Sequence, residues 1–181
     1  NASISVKNSA FISGEAAIES KNSLLSLSDL TFANYSASDG ILSISGSWPE
    51  MKNLVCVDCN KNMIKFEKIE IKNKEVTLTN DWQYLFSELL IDDKSILRIK
   101  DRVNIYLDSY GLITVNGQLE AYGTIDQPIN IQPFSSSWAY IIFNNSSSTL
   151  RYVNISRGGG LPEIYNTALL VNNSNLSLEN S

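Results

Sequence analysis

The residue types that most often do chemistry are scarce in this 181-residue chain. It contains no His, which removes imidazole acid–base catalysis, Ser-His triads and His metal ligands. The two cysteines form a CxxC pair, Cys56-Val57-Asp58-Cys59. Such a pair can be half of a zinc site, a redox couple, a local disulfide, or a buried strand residue followed by a turn residue. A zinc site needs two further ligands, and no third Cys and no His exist to supply them. The redox reading needs a βαβ context that the sequence lacks. A local disulfide and an unbonded pair both remain open. Asp92-Asp93 is the one acidic doublet. It stands beside Lys94 ahead of Ile96-Leu97-Arg98-Ile99 and reads as a solvated turn rather than a catalytic pair. Lys100-Asp101-Arg102 alternates in sign and reads as an exposed strand edge protected by charge. No catalytic residue, metal ligand or cofactor site is assigned.

Other side chains suggest binding or modification. Asn-x-Ser sequons occur at Asn1, Asn34, Asn144, Asn145, Asn154, Asn172 and Asn175. Most fall at predicted turns, where a glycan acceptor must be exposed. Asn34, Asn144 and Asn172 are expected to face solvent. Trp48-Pro49, Trp82 and Trp138 offer a sugar-stacking platform, although the position of Trp138 suits packing at a corner of the fold. Gly158-Gly159-Gly160 is followed by neither Lys-Ser/Thr nor a helix. It reads as a turn into Leu161-Pro162 rather than a phosphate loop. With 14 Lys+Arg against 19 Asp+Glu and a net charge of −5, the chain lacks a basic nucleic-acid footprint. No apolar run reaches the roughly 18 residues of a membrane-spanning helix.

These residues must be positioned by strands. Apolar and polar residues alternate in short runs such as Ile4-Ser5-Val6, Leu25-Ser26-Leu27, Val76-Thr77-Leu78, Ile129-Asn130-Ile131 and Leu176-Ser177-Leu178. Period 2 over such short runs predicts half-buried strands. Residues 81–90 are the one helix candidate, and their aromatics also suit a strand. The runs repeat. Ile4, Val6 and Phe11 recur at constant spacing as Leu25, Leu27 and Phe32. Ala17-Ile18 is matched by Ala168-Leu169, and Ser148-Thr149-Leu150 aligns with Ser174-Asn175-Leu176 at a slightly longer spacing. Such periods predict one coil of a solenoid, with equivalent residues stacked in parallel ladders.

The segment Val115-Asn-Gly117-Gln-Leu119-Glu-Ala121-Tyr-Gly123-Thr124, then Pro128-Ile129-Asn-Ile131, Trp138-Ala-Tyr-Ile141-Ile-Phe143 and Ser148-Thr-Leu150, resembles the right-handed parallel β-helix, of pectate-lyase-like superfold, found in secreted and cell-surface proteins of bacteria and archaea. Ala139 and Tyr140 depart from its small residues, and residues 41–90 are not covered. The resemblance implies an all-β solenoid. Coils are expected over 1–40 and 91–181, flanking a strand-rich 41–90 of distorted coils, an inserted hairpin or a small sandwich. Its expected interior includes Leu119, Ile129, Ile131, Ile141, Phe143, Leu150, Ile155, Leu169, Leu176 and Leu178. The His-containing motif of pectin-hydrolase-like members has no counterpart here.

The expected function is a non-catalytic structural segment of an extracellular surface protein, of surface-layer, sheath, filament or adhesin type. Both ends of the repeat are expected to be covered, by more of the same polypeptide or by stacked copies. The alternatives are a carbohydrate-binding or carbohydrate-processing module and a viral fibre module.

Overall fold

The computed structural model describes residues 2–36, 40–160 and 166–181. Seventeen strands follow one another in these residues. They are β1 (Ser3–Gly14), β2 (Ile18–Lys21), β3 (Leu24–Tyr35), β4 (Leu42–Ser47), β5 (Glu50–Val57), β6 (Met63–Ile71), β7 (Glu75–Leu78), β8 (Gln83–Ile91) and β9 (Ile96–Ile99). They continue as β10 (Asn104–Val115), β11 (Gln118–Tyr122), β12 (Ile129–Pro133), β13 (Tyr140–Asn144), β14 (Ser147–Arg151), β15 (Val153–Ile155), β16 (Leu169–Asn172) and β17 (Asn175–Glu179). Every strand pairing is parallel, and each joins a strand to its equivalent one coil away. The fold is a right-handed parallel β-solenoid.

Two walls run along the solenoid. One is a continuous sheet, β2-β4-β6-β8-β10-β12-β15, with β13 and β16 beside its later strands. The other is split into β1-β3-β5 and β7-β9-β11-β14-β17. The continuous wall carries a column of inward side chains, Ile18-Leu42-Ile64-Tyr84-Ile105-Ile131-Ile155. Opposite it, Leu78, Ile99, Ala121, Leu150 and Leu178 stack in register. Burying each such aliphatic side chain stabilises the fold by about 1.5–3 kcal/mol. Alternation lets one wall bury this column and still present polar groups outward.

Residues 41–90 belong to these ladders. β4, β6 and β8 pair in parallel with their neighbours in both directions, an arrangement that a hairpin or an antiparallel sandwich does not contain. Residues 83–91 form β8, not a helix. The expected alignment near the C-terminus is corrected by a slip of two positions. Ser148 pairs with Leu176 rather than Ser174, and Leu150 pairs with Leu178 rather than Leu176. A slip of two keeps every side chain on its proper face, so alternation alone cannot detect it. Leu178 is 52% exposed despite facing inward, because no coil lies beyond it among the described residues. Ile155, Leu169 and Leu176 are partly buried for the same reason.

The turns share one device. Asn22, Asn73, Asn145 and Asn173 hold positive φ of 48–51° at the corner that leads out of the continuous wall. Asn tolerates this left-handed conformation better than most residues with a side chain. Gly117 sits at the same corner, where an added Cβ would lie 2.2 Å from the Asp92 carbonyl oxygen.

Candidate functional site

The ionisable candidates are dispersed. Asp92 lies in the turn before β9 and Asp101 in the turn after it, at opposite ends of that strand. The Asp92 carboxylate accepts hydrogen bonds from the Ser95 hydroxyl and from the Lys94 and Asn73 backbone N–H groups. Desolvation pushes its pKa up, but these donors together outweigh it and hold the carboxyl below its ordinary value. The chemistry is that of a turn cap tying two coils together. Asp93 beside it is exposed. Lys100-Asp101-Arg102 is a correction to the expected strand edge. The Lys100 N–H makes a ladder bond to the Leu78 carbonyl, and the chain then turns at Arg102, whose φ is 61°.

On the outer face of the second wall, Arg98 bridges two coils by bonding Glu75 on β7 and Glu120 on β11. The Glu75 hydrogen bond is the main cause of a raised guanidinium pKa. This is a cross-strand ladder of opposite charges, which stabilises a sheet rather than activating a nucleophile. Among the described residues no three of His, Cys, Asp and Glu gather into a group that could hold a metal.

The structure joins Cys56 and Cys59 in a disulfide. The bond closes the end of β5, with Cys56 facing inward in register with Phe32. Trp82 reaches Phe32 edge-on, 6.0 Å between ring centres. The tryptophans do not form a platform. Trp48 and Trp82 are each 7% exposed and Trp138 is fully buried. The Trp138 indole donates to the Ser156 carbonyl at 2.7 Å, and Gly158 packs so closely against it that a Cβ would fall 2.7 Å from the ring. Leu161 and Pro162, the expected continuation of that glycine turn, lie outside the described residues.

The sequon asparagines divide into two groups. Asn116, Asn144 and Asn172 form a side-chain ladder in which each carboxamide N–H donates to the amide oxygen one coil earlier, at 3.3 and 3.1 Å. Asn104, Asn130 and Asn154 form a second such ladder at 3.0 Å per step. Asn144 is therefore half-buried and engaged rather than solvent-facing. Asn172 and Asn154 are exposed and engaged, whereas Asn34, Asn145 and Asn175 are exposed with no side-chain partner among the described residues. Asn1 lies outside them. Asn34 is not in a turn between strands. It falls near the end of β3, where its φ is 57°. The amide ladders were not anticipated from the sequence. Their signal was Asn repeating at one-coil intervals.

Two of the depressions on the described surface have the shape of binding sites. A polar trough of about 470 Å³ follows the outgoing corner, lined by Asp93, Lys94, Asn116, Gln118, Asn145 and Asn175. A slot follows the break between β5 and β7, in two adjoining sections of about 260 and 280 Å³ that share Met51, Thr77 and Tyr84. Among the described residues no helix is long and apolar enough to cross a membrane. Comparison of the chain with protein-family models, curated proteins and solved structures finds no match to any of them.

Proposed function

We propose that the chain is a non-catalytic structural segment of an extracellular surface assembly, of surface-layer, sheath, filament or adhesin type, extended by coil-on-coil stacking at its ends. The observation that carries this reading is the stack itself: every described strand pairs in parallel with its equivalent one coil away, a geometry that a further coil or a second copy can continue. A disulfide supports an oxidising compartment. The dispersed carboxylates and absent His support a non-catalytic role. Asn34, Asn145 and Asn175, exposed and without a side-chain partner among the described residues, are the expected glycan acceptors. Sedimentation and negative-stain imaging over a concentration series test the reading. Rods or arrays that lengthen with concentration support self-stacking, and a folded monomer at the highest concentration removes it.

A second reading, carbohydrate binding, rests on the amide-lined corner trough. Side-chain amides beside a carboxylate and an ammonium suit sugar hydroxyls. Titration with soluble polysaccharides, followed by the amide resonances of Asn145 and Gln118, tests it.

A further inference from the structure

The slot between β5 and β7 is an interruption of a hydrogen-bonded wall. Among the described residues β5 pairs only with β3, and β7 only with β9, so the unpaired edge of each faces the other. The opposite wall passes through the same two coils without a break, as β6 pairs with β8 along its length. The slot thus opens on one side of a solenoid that is otherwise stacked.

The polarity of the β7 edge can be read residue by residue. The Lys74 carbonyl accepts from Ile96, and the Leu78 carbonyl accepts from Lys100. Successive strand residues direct their N–H and C=O groups to opposite edges. Glu75, Thr77 and Thr79 therefore direct theirs into the slot. Thr79 is satisfied locally, since its N–H donates to the Tyr84 hydroxyl, which in turn donates to the Thr79 carbonyl. At the opposite end the Lys74 ammonium crosses to the Trp48 carbonyl at 3.2 Å. Side chains thus close both ends of the slot, while Glu75 and Thr77 have no strand to pair with.

We propose that this slot is a strand-acceptor site, which takes a short extended polypeptide segment in parallel between β5 and β7. The complementarity is one of charge. Alternating N–H and C=O dipoles on a strand edge are matched by a peptide backbone and by few other ligands. Val76 and Leu78 point inward beside the slot, while Glu75 and Thr77 are exposed. A segment with alternating apolar and polar residues fits that floor and rim. The proposal does not depend on stacking at the ends.

The probe is a synthetic peptide of residues 74–79, Lys-Glu-Val-Thr-Leu-Thr, whose pattern already pairs with β9. Hydrogen exchange is followed by NMR on the full chain. The expected result is at least a tenfold slowing of exchange at Glu75 and Thr77 on peptide addition, with Val76 and Leu78 unchanged. Thr77→Pro removes one slot-facing donor and leaves the β9 ladder intact, because edge strands tolerate proline. It should weaken peptide binding at least tenfold, while Thr77→Val binds as wild type. A thermal melt of each variant separates loss of binding from loss of fold. Three results overturn the proposal. They are no change at Thr77 at millimolar peptide, slow Thr77 exchange before peptide is added, and equal slowing by a soluble oligosaccharide.

Discussion

The first three coils and the later ones solve the same packing problem with different walls. In coils one to three the long strands lie in the sheet β1-β3-β5, where β1 and β3 each run 12 residues. Each of these strands bends at a left-handed residue, Asn8, Asp29 and Asn53, with φ of 49°, 55° and 51°. The bends are tied together where the Asn53 amide donates to the Asp29 carboxylate at 2.8 Å. Beyond the break the same wall shrinks to strands of 4 and 5 residues without a left-handed kink. Length passes to the opposite wall, where β10 has 12 residues and bends at Tyr110, φ 66°. The corner of the cross-section has moved from one wall to the other. Trp48 fills the interior at the junction, stacked at 4.7 Å on Phe66 and 6.4 Å from Phe86. A solenoid tolerates such a change when one wall keeps its register and a large side chain occupies the space the other vacates.

The largest predicted effect lies in the later coils. Leu150 is fully buried, stacked between Ala121 and Leu178. Leu150→Asp places an unpaired carboxylate in that column and should cost more than about 4 kcal/mol, read as a lost cooperative melt. Next is the junction itself. Phe86→Ala leaves a cavity beneath Trp48 and should destabilise by about 3–5 kcal/mol in chemical denaturation. If the two halves unfold as one, a single transition shifts. If they are separable, the transition splits, and the halves are two folding units rather than one continuous solenoid.

Smaller effects distinguish the halves. The Cys56–Cys59 disulfide closes no long loop, so its loss should cost only about 1–2 kcal/mol. The added hydrogen exchange should be confined to β3 and β5. Asn144→Ala, in the later half, strands the Asn172 amide and the Asn116 oxygen and should cost about 1 kcal/mol. Exchange should rise on both neighbouring coils, since the ladder couples them. The smallest effect is one of pH. The Asp92 carboxyl has a depressed folded pKa, so its contribution is present above the unfolded value of about 3.9 and is lost as pH falls through the folded one. Melting temperatures of wild type and Asp92→Asn should converge as the pH is lowered into that range.

Much of this architecture was legible in the sequence where coil length stays constant. The N-terminal repeat placed Ile4 on Leu25, Val6 on Leu27 and Phe11 on Phe32, the pairs seen in the structure. Residues 41–90 were opaque for a physical reason. The coil step shortens there, since Leu27 meets Met51 between β3 and β5 but Phe66 already meets Phe86 between β6 and β8, so no single period fits. Alternation also fails in β8, where Tyr84, Leu85 and Phe86 are all buried. Leu85 faces outward but is covered by its cross-strand neighbours Lys65 and Tyr106. Such a continuous apolar run reads equally as a buried helix. The surface features were harder still, because a break between β5 and β7 leaves no mark on the residues that line it.

The described residues form one parallel solenoid with a single wall interrupted between β5 and β7. Scalar couplings transmitted through backbone hydrogen bonds, measured by NMR on deuterated protein, probe that arrangement bond by bond. An interrupted solenoid predicts couplings from the Ile96 N–H to the Lys74 carbonyl and from the Lys100 N–H to the Leu78 carbonyl, with none from the Thr77 N–H. A coupling from Thr77 to a carbonyl of β5 would close the wall, and antiparallel couplings within residues 91–181 would contradict the solenoid itself.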